Sequence, residues 1–222
     1  MSGFQTISTG VFNRSGRDTL SPQVFYGALA SSILYGLFTT AIIAYKVNEA
    51  GFIPNLWHII ILGLVVPIIG IIIAMKSDNP IVSFIGYSML VVPFGVVLSP
   101  VLQVYSPDVI TNAFGITATI TFVMGLAGTM FPNIFSKMGP VLGLVLFGMV
   151  LVMIGQMFIP ALRLGIIDYI GAGLFSLYIG YDMYRANHVA KTLDNAIDIS
   201  IDLYLDIVNL FLFVLRILGK KD

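Results

Sequence analysis

Residues 174–219 read LFSLYIGYDMYRANHVAKTLDNAIDISIDLYLDIVNLFLFVLRILG. Two apolar segments flank a polar connection, and both carry carboxylates at membrane depth. Asp182 lies near the end of the first. Asp206 lies inside the second, preceded at four-residue steps by Asp202, Asp198 and Asp194. An ionisable group at mid-helix costs about 2.5–3.5 kcal/mol on insertion scales, so each such aspartate is a candidate functional group. A helix long enough to span yet this polar belongs inside a bundle, shielded from lipid by its neighbours.

The composition agrees. The 222 residues are 58% hydrophobic and only 10% charged, with a mean hydropathy of +0.98. Soluble domains carry about 25% charged residues, so the chain reads as an integral, multi-pass membrane protein. Zero net charge argues against a nucleic-acid partner and leaves membrane lipid as the first one. There is no cysteine, hence no thiol chemistry, and two histidines alone make a zinc site a poor reading. No P-loop, dinucleotide fingerprint or nucleophile elbow is present, and neither an enzyme nor a bound cofactor is expected.

Residues 1–21 are polar and form an expected mobile tail without the apolar core of a signal peptide. Residues 22–222 form one transmembrane domain. Apolar runs occur at about 24–45, 56–75, 81–103, 109–131 and 141–160, followed by more polar runs at about 164–184 and 197–218. A hydrocarbon core needs about 20 helical residues, so each can span. The expected fold is all-α: seven transmembrane helices, six of them wrapped around a central C-terminal helix. Pro67, Pro93 and Pro100 are expected to kink the second and third spans. Gly125 with Thr129, and Gly139 with Gly143, have the spacing of close helix packing.

Lysine and arginine in short loops set the orientation. With the N-terminus inside, Arg14, Arg17, Lys76, Lys137, Arg185 and Lys191 share its side, against Lys46 and Arg163 opposite. The C-terminus then lies outside if the last helix spans, and inside if it is re-entrant.

Asp182 and Asp206 both fall near the cytoplasmic ends of neighbouring helices. Two carboxylates about 5 Å apart repel by roughly 3 kcal/mol at an effective dielectric of 20. They are therefore expected to share a proton and titrate as a pair near neutral pH. The other reading satisfies each separately, Asp182 through Arg185 and Asp206 through a neighbouring hydroxyl or amide. Asp194, Asp198, Asp202 and Asp206 form a slanting stripe, which suits a wet vestibule for a cation with hard oxygen ligands such as calcium. Against this, Asp194 can lie in the loop, with Asp198 simply favoured at a helix entrance.

Phe175-Ser176-Leu177-Tyr178, Tyr181-Asp182, Leu203-Tyr204-Leu205-Asp206, Asn209-Leu210-Phe211 and Leu215-Arg216 together resemble the transmembrane Bax inhibitor motif family, as does the spacing between the two aspartates. The resemblance implies a pH-sensitive calcium leak channel in a bacterial inner membrane or a eukaryotic endomembrane, with Asp182 and Asp206 as pH sensor and transient calcium ligands. It also implies a basic latch, here Lys76, pairing with the aspartate of helix six. Lys76 is followed by Ser77-Asp78 instead of further basic residues, and lysine is a point donor where arginine would be bidentate. Two other functions are compatible with the residues. One is a non-conducting regulator that acts through membrane-protein partners. The other is an intramembrane aspartyl protease, for which Leu203-Tyr204-Leu205-Asp206 lacks the glycines of the second protease motif.

Overall fold

The structure is a computed structural model describing residues 19–159 and 165–220. Arg14, Arg17, Asp18, Arg163 and most of the expected tail lie outside the described residues. The described chain is all-helical. Seven long helices follow in order: α1 Pro22–Glu49, α2 Leu56–Lys76, α3 Pro80–Leu102, α4 Pro107–Met130, α5 Gly139–Phe158, α6 Ile166–His188 and α7 Leu193–Gly219. A single helical turn, Pro132–Phe135, precedes α5.

Local chemistry sets the helix starts. Ser21 caps α1 and Ser106 caps α4 by accepting the Val24 and Val109 amides, each with a proline next in sequence at the first helical position. Asn55 and His58 form a reciprocal capping box at the start of α2. The Thr192 hydroxyl accepts the Asn195 amide at the start of α7. Pro67 distorts α2 as expected. It has no N–H for the carbonyl four residues back, and a π-helical turn at Ile61–Val65 takes up the mismatch just before it. α3 continues as one helical element through Pro93 and on to Pro100 in its last turn.

The helices α1 to α5 are long and apolar enough to cross a membrane, and their outer faces carry exposed Leu, Ile, Val and Phe. This is a polytopic membrane protein. α6 and α7 have 23 and 27 residues, ample length for a crossing, but carry the buried carboxylates. After Leu193, no residue of α7 through Gly219 is exposed. The shielding expected of so polar a helix is therefore present.

The chain divides into two compact units, residues 1–99 with 188–201, and residues 100–187 with 202–222. In the first, hydrogen bonds tie α1 to α3. Thr40 donates to the Val91 carbonyl, Tyr87 donates to the Ser32 carbonyl, and the Tyr35 and Ser88 hydroxyls meet at 2.9 Å. Gly70 of α2 and Gly86 of α3 abut so closely that a Cβ on either would strike the other's carbonyl. Lys191, in the α6–α7 connection, stacks over Phe25 and Tyr26, and its carbonyl accepts the Leu20 amide. Burial there holds the Lys191 ammonium below its ordinary 10.5.

In the second unit the close approach falls at Gly128 of α4 against the backbone of Gly180 of α6, and at Gly139 against the Tyr181 ring. This corrects one member of each expected pair, Gly125 and Gly143, and keeps Gly139. A Cβ on Gly125 would make only an ordinary contact with Met183, and Gly143 faces open space. Asn187 adds a bond to the Thr129 hydroxyl, so α4 and α6 are joined twice.

Candidate functional site

The inward face of α6 runs Gly171, Leu174, Phe175, Ile179, Asp182 and Ala186, a helical period that places Asp182 among core residues. Gly180, two residues earlier, is pressed between Gly128 and the Phe135 ring, which fixes the height of this turn. Asp182 is only 2% exposed. Asp206 of α7 is 7% exposed, and its carboxyl meets that of Asp182 within hydrogen-bond reach. Two acceptors at this separation need a proton between them or a cation beside them.

Arg185 lies one turn beyond Asp182. Its Nη1 donates to Asp182 Oδ1 and to Asp202 Oδ2, at 2.8 Å in each case. The guanidinium is largely buried, with 12% of the side chain exposed, and lies 5.8 Å from the centre of the Tyr181 ring. Tyr178 stands within electrostatic range of both Asp182 and Asp206. The two sequence readings of Asp182 thus coexist: it meets Asp206 and it is also held by Arg185. Fully ionised, Asp182, Asp202, Asp206 and Arg185 carry a net charge of minus two, which one shared proton halves. Asp206 Oδ2 is buried and takes no N–H or O–H from any described group. A proton, a water or a cation is what such an oxygen requires.

Asp194 and Asp198 belong to the first unit, where both are buried and Asp194 Oδ1 lies 2.6 Å from the Ser83 hydroxyl. Lys76, also of the first unit, ends α2 with its side chain exposed. No three carboxylate or imidazole side chains among the described residues converge as a ready metal cage.

A second cluster closes the opposite ends of α6 and α7. Arg216 Nε donates to Asp168 Oδ1 at 2.8 Å, and Lys220 donates to Asp168 Oδ2 and to the Gly165 carbonyl. Between the two clusters the Phe175 and Phe213 rings stack at 5.7 Å, with Gly171 directly beneath Phe213. The sequence reading missed this triad, although a signal was there. Asp168 precedes Asp182 by the same 14 residues by which Lys220 follows Asp206, so an antiparallel pair that joins the first two joins the others.

A family model described as Inhibitor of apoptosis-promoting Bax1 matches residues 25–222, nearly the whole chain. The chain belongs to this Bax inhibitor-like family. Its relatives span bacteria and plants. The inner membrane protein YbhL of Escherichia coli is 28% identical over the full length of both chains. YrjE of Lactococcus lactis is 32% identical over 88% of this chain and 85% of its own. A BI1-like protein of Arabidopsis thaliana is 39% identical over a shorter stretch, 40% of this chain and 35% of its own. Family membership and the apolar helices together make this an integral membrane protein, and the buried aspartates of α6 and α7 are the chemistry built into it.

Proposed function

We propose that this Bax inhibitor-like protein is a pH-sensitive calcium leak channel, regulated by the Asp182–Asp206 pair. The observation that carries the reading is the meeting of these two buried carboxyls on adjacent helices, faced by Asp202, Arg185, Tyr178 and Tyr181. With one shared proton the pair is a hydrogen bond that ties α6 to α7. With none, two buried charges repel, and the site opens to water or holds a cation. With two protons the attraction for calcium disappears. Each change alters a contact worth a few kcal/mol, enough to move a conformational equilibrium substantially. Calcium is cargo here, bound in passing by Asp182 and Asp206, and the reading includes no resident cofactor and no catalytic step.

Calcium flux into liposomes containing the pure protein, across a pH series, tests it. Flux that changes several-fold between roughly pH 5.5 and 8 supports the proposal. No flux at any pH overturns it and favours a non-conducting regulator acting through membrane-protein partners. The Arg185 bridge would then serve only as a lock between α6 and α7. Cleavage of a membrane-spanning peptide, lost in Asp182→Asn, would instead favour a protease.

A further inference from the structure

The acidic cluster already contains a cation, and that cation is part of the protein. One guanidinium nitrogen contacts both Asp182 and Asp202 at 2.8 Å, which turns one oxygen of each toward Arg185. Calcium takes six to eight oxygens at about 2.3–2.6 Å, commonly with carboxylates as its charged ligands. No three acidic or imidazole side chains among the described residues converge as such a cage. Yet the cluster has the charge for one: three carboxyls against one guanidinium, and a buried Asp206 oxygen with no N–H or O–H donor among the described groups. We infer that Arg185 is a tethered counterion that competes with a divalent cation for Asp182 and Asp202, so that cation entry requires its displacement.

This deepens the calcium reading and rests on it. Arg185 is attached to α6, one turn from Asp182, so its effective concentration at the site is fixed and does not vary with ionic conditions. Among the groups that face it are Asp182 and Tyr181 on α6 and Asp202 and Asp206 on α7. A guanidinium is weakly hydrated and planar, and can leave two carboxylates for the face of an aromatic ring at modest cost. The Tyr181 ring, already beneath it, offers that place. Such a counterion sets the cation concentration at which the path fills and lends the pair selectivity for divalent ions, whose second charge offsets more of the three carboxyls than the guanidinium they displace.

The experiment uses the full-length protein in detergent, with terbium(III) as the calcium analogue, excited through the adjacent tyrosines Tyr178 and Tyr181, and calcium titrated against it. Arg185→Gln should tighten calcium binding at least about tenfold, because a full positive charge leaves the site. Arg185→Lys keeps the charge and should stay within about threefold of the unmodified protein. A purely structural role for Arg185 would weaken binding in both. If Arg185→Gln does not fold, the Asp202→Asn background supplies the comparison: R185Q/D202N should bind calcium more tightly than D202N, since Asp182 still faces the guanidinium. Binding that Asp206→Asn abolishes but Arg185→Gln leaves unchanged overturns this inference alone. Absence of terbium and calcium binding in every form overturns the calcium reading together with it.

Discussion

Arg185 Nη1 lies 2.8 Å from Asp182 Oδ1 on its own helix and 2.8 Å from Asp202 Oδ2 on the next. One nitrogen therefore joins α6 to α7 beside the place where Asp182 meets Asp206. Breaking a buried pair by removing one partner commonly costs about 3–5 kcal/mol, because the other charge is left uncompensated. The protein keeps this bridge intact while leaving an adjacent aspartate without such a partner. On the proposed reading, the response rests on that asymmetry: one carboxyl is held, and the other can take a proton or an ion.

The pH profile of calcium flux is the first expected outcome. Asp182→Asn and Asp206→Asn should each flatten it, since neither leaves two carboxyls to share a proton. Asp168→Asn, at the far end of α6 and bound to Arg216 and Lys220, should leave the profile intact. Retention of the unmodified profile by both pair variants would place the sensor elsewhere.

Helix packing gives a sharper contrast. Any side chain on Gly128 meets the Gly180 backbone, which cannot move aside, so Gly128→Leu should cost about 3 kcal/mol or more, or prevent folding. Gly143 faces open space, and Gly143→Ala should be neutral or gain roughly 0.5–1 kcal/mol from helix propensity. Thermal unfolding in detergent compares the two. Equal effects would mean that α4 and α6 do not approach at Gly128.

The Asp168 triad is expected to be structural. Arg216 is the less exposed partner and also stacks 4.3 Å from the Phe213 ring centre, so Arg216→Gln should cost about 1–2 kcal/mol. Lys220 is 45% exposed and Lys220→Gln should cost about 0–1 kcal/mol after solvent screening. Neither should shift the pH at which flux changes. A shift would mean that the two ends of α6 and α7 are coupled.

Lys191 has a signed pH dependence. Burial lowers its pKa in the folded protein, so between that lowered value and the ordinary 10.5 the unfolded chain binds more protons. Stability contributed at this position therefore rises with pH through that window and levels off above it. Lys191→Met removes the titration. Melting temperatures measured from pH 8 to 11 should show the unmodified protein gaining on Lys191→Met. A constant difference would mean that Lys191 titrates normally.

Topology is checked by labelling. Single cysteines at Ser2 and Asp222, in a chain that has none, should react with an impermeant maleimide from opposite sides, with the N-terminus inside. Labelling of both from one side would make the last helix re-entrant.

The all-helical membrane architecture was legible in the sequence because it depends on local quantities. Run length and hydropathy marked α1 to α5. The polarity of Asp198, Asp202 and Asp206 announced a helix that lipid could not solvate, and α7 is shielded along nearly all its length. Asp182 and Asp206 were legible too, because carboxylates at membrane depth are expensive wherever they occur.

What only the tertiary structure decided is which groups answer those carboxylates. The spacing of Asp182 and Arg185 suggested a pair within one helix, but the bridge to Asp202 depends on the rotation of α7 about its axis, and spacing does not set that. Of the expected glycines Gly139 makes a close contact, whereas Gly125 and Gly143 do not and Gly128 does, for the same reason: a small residue permits an approach, and the neighbouring helix chooses where it occurs. Hydropathy is a property of a segment, whereas a hydrogen bond between helices requires two rotations and a register. Packing fixes these last, and it is packing that puts a guanidinium beside the buried aspartate pair.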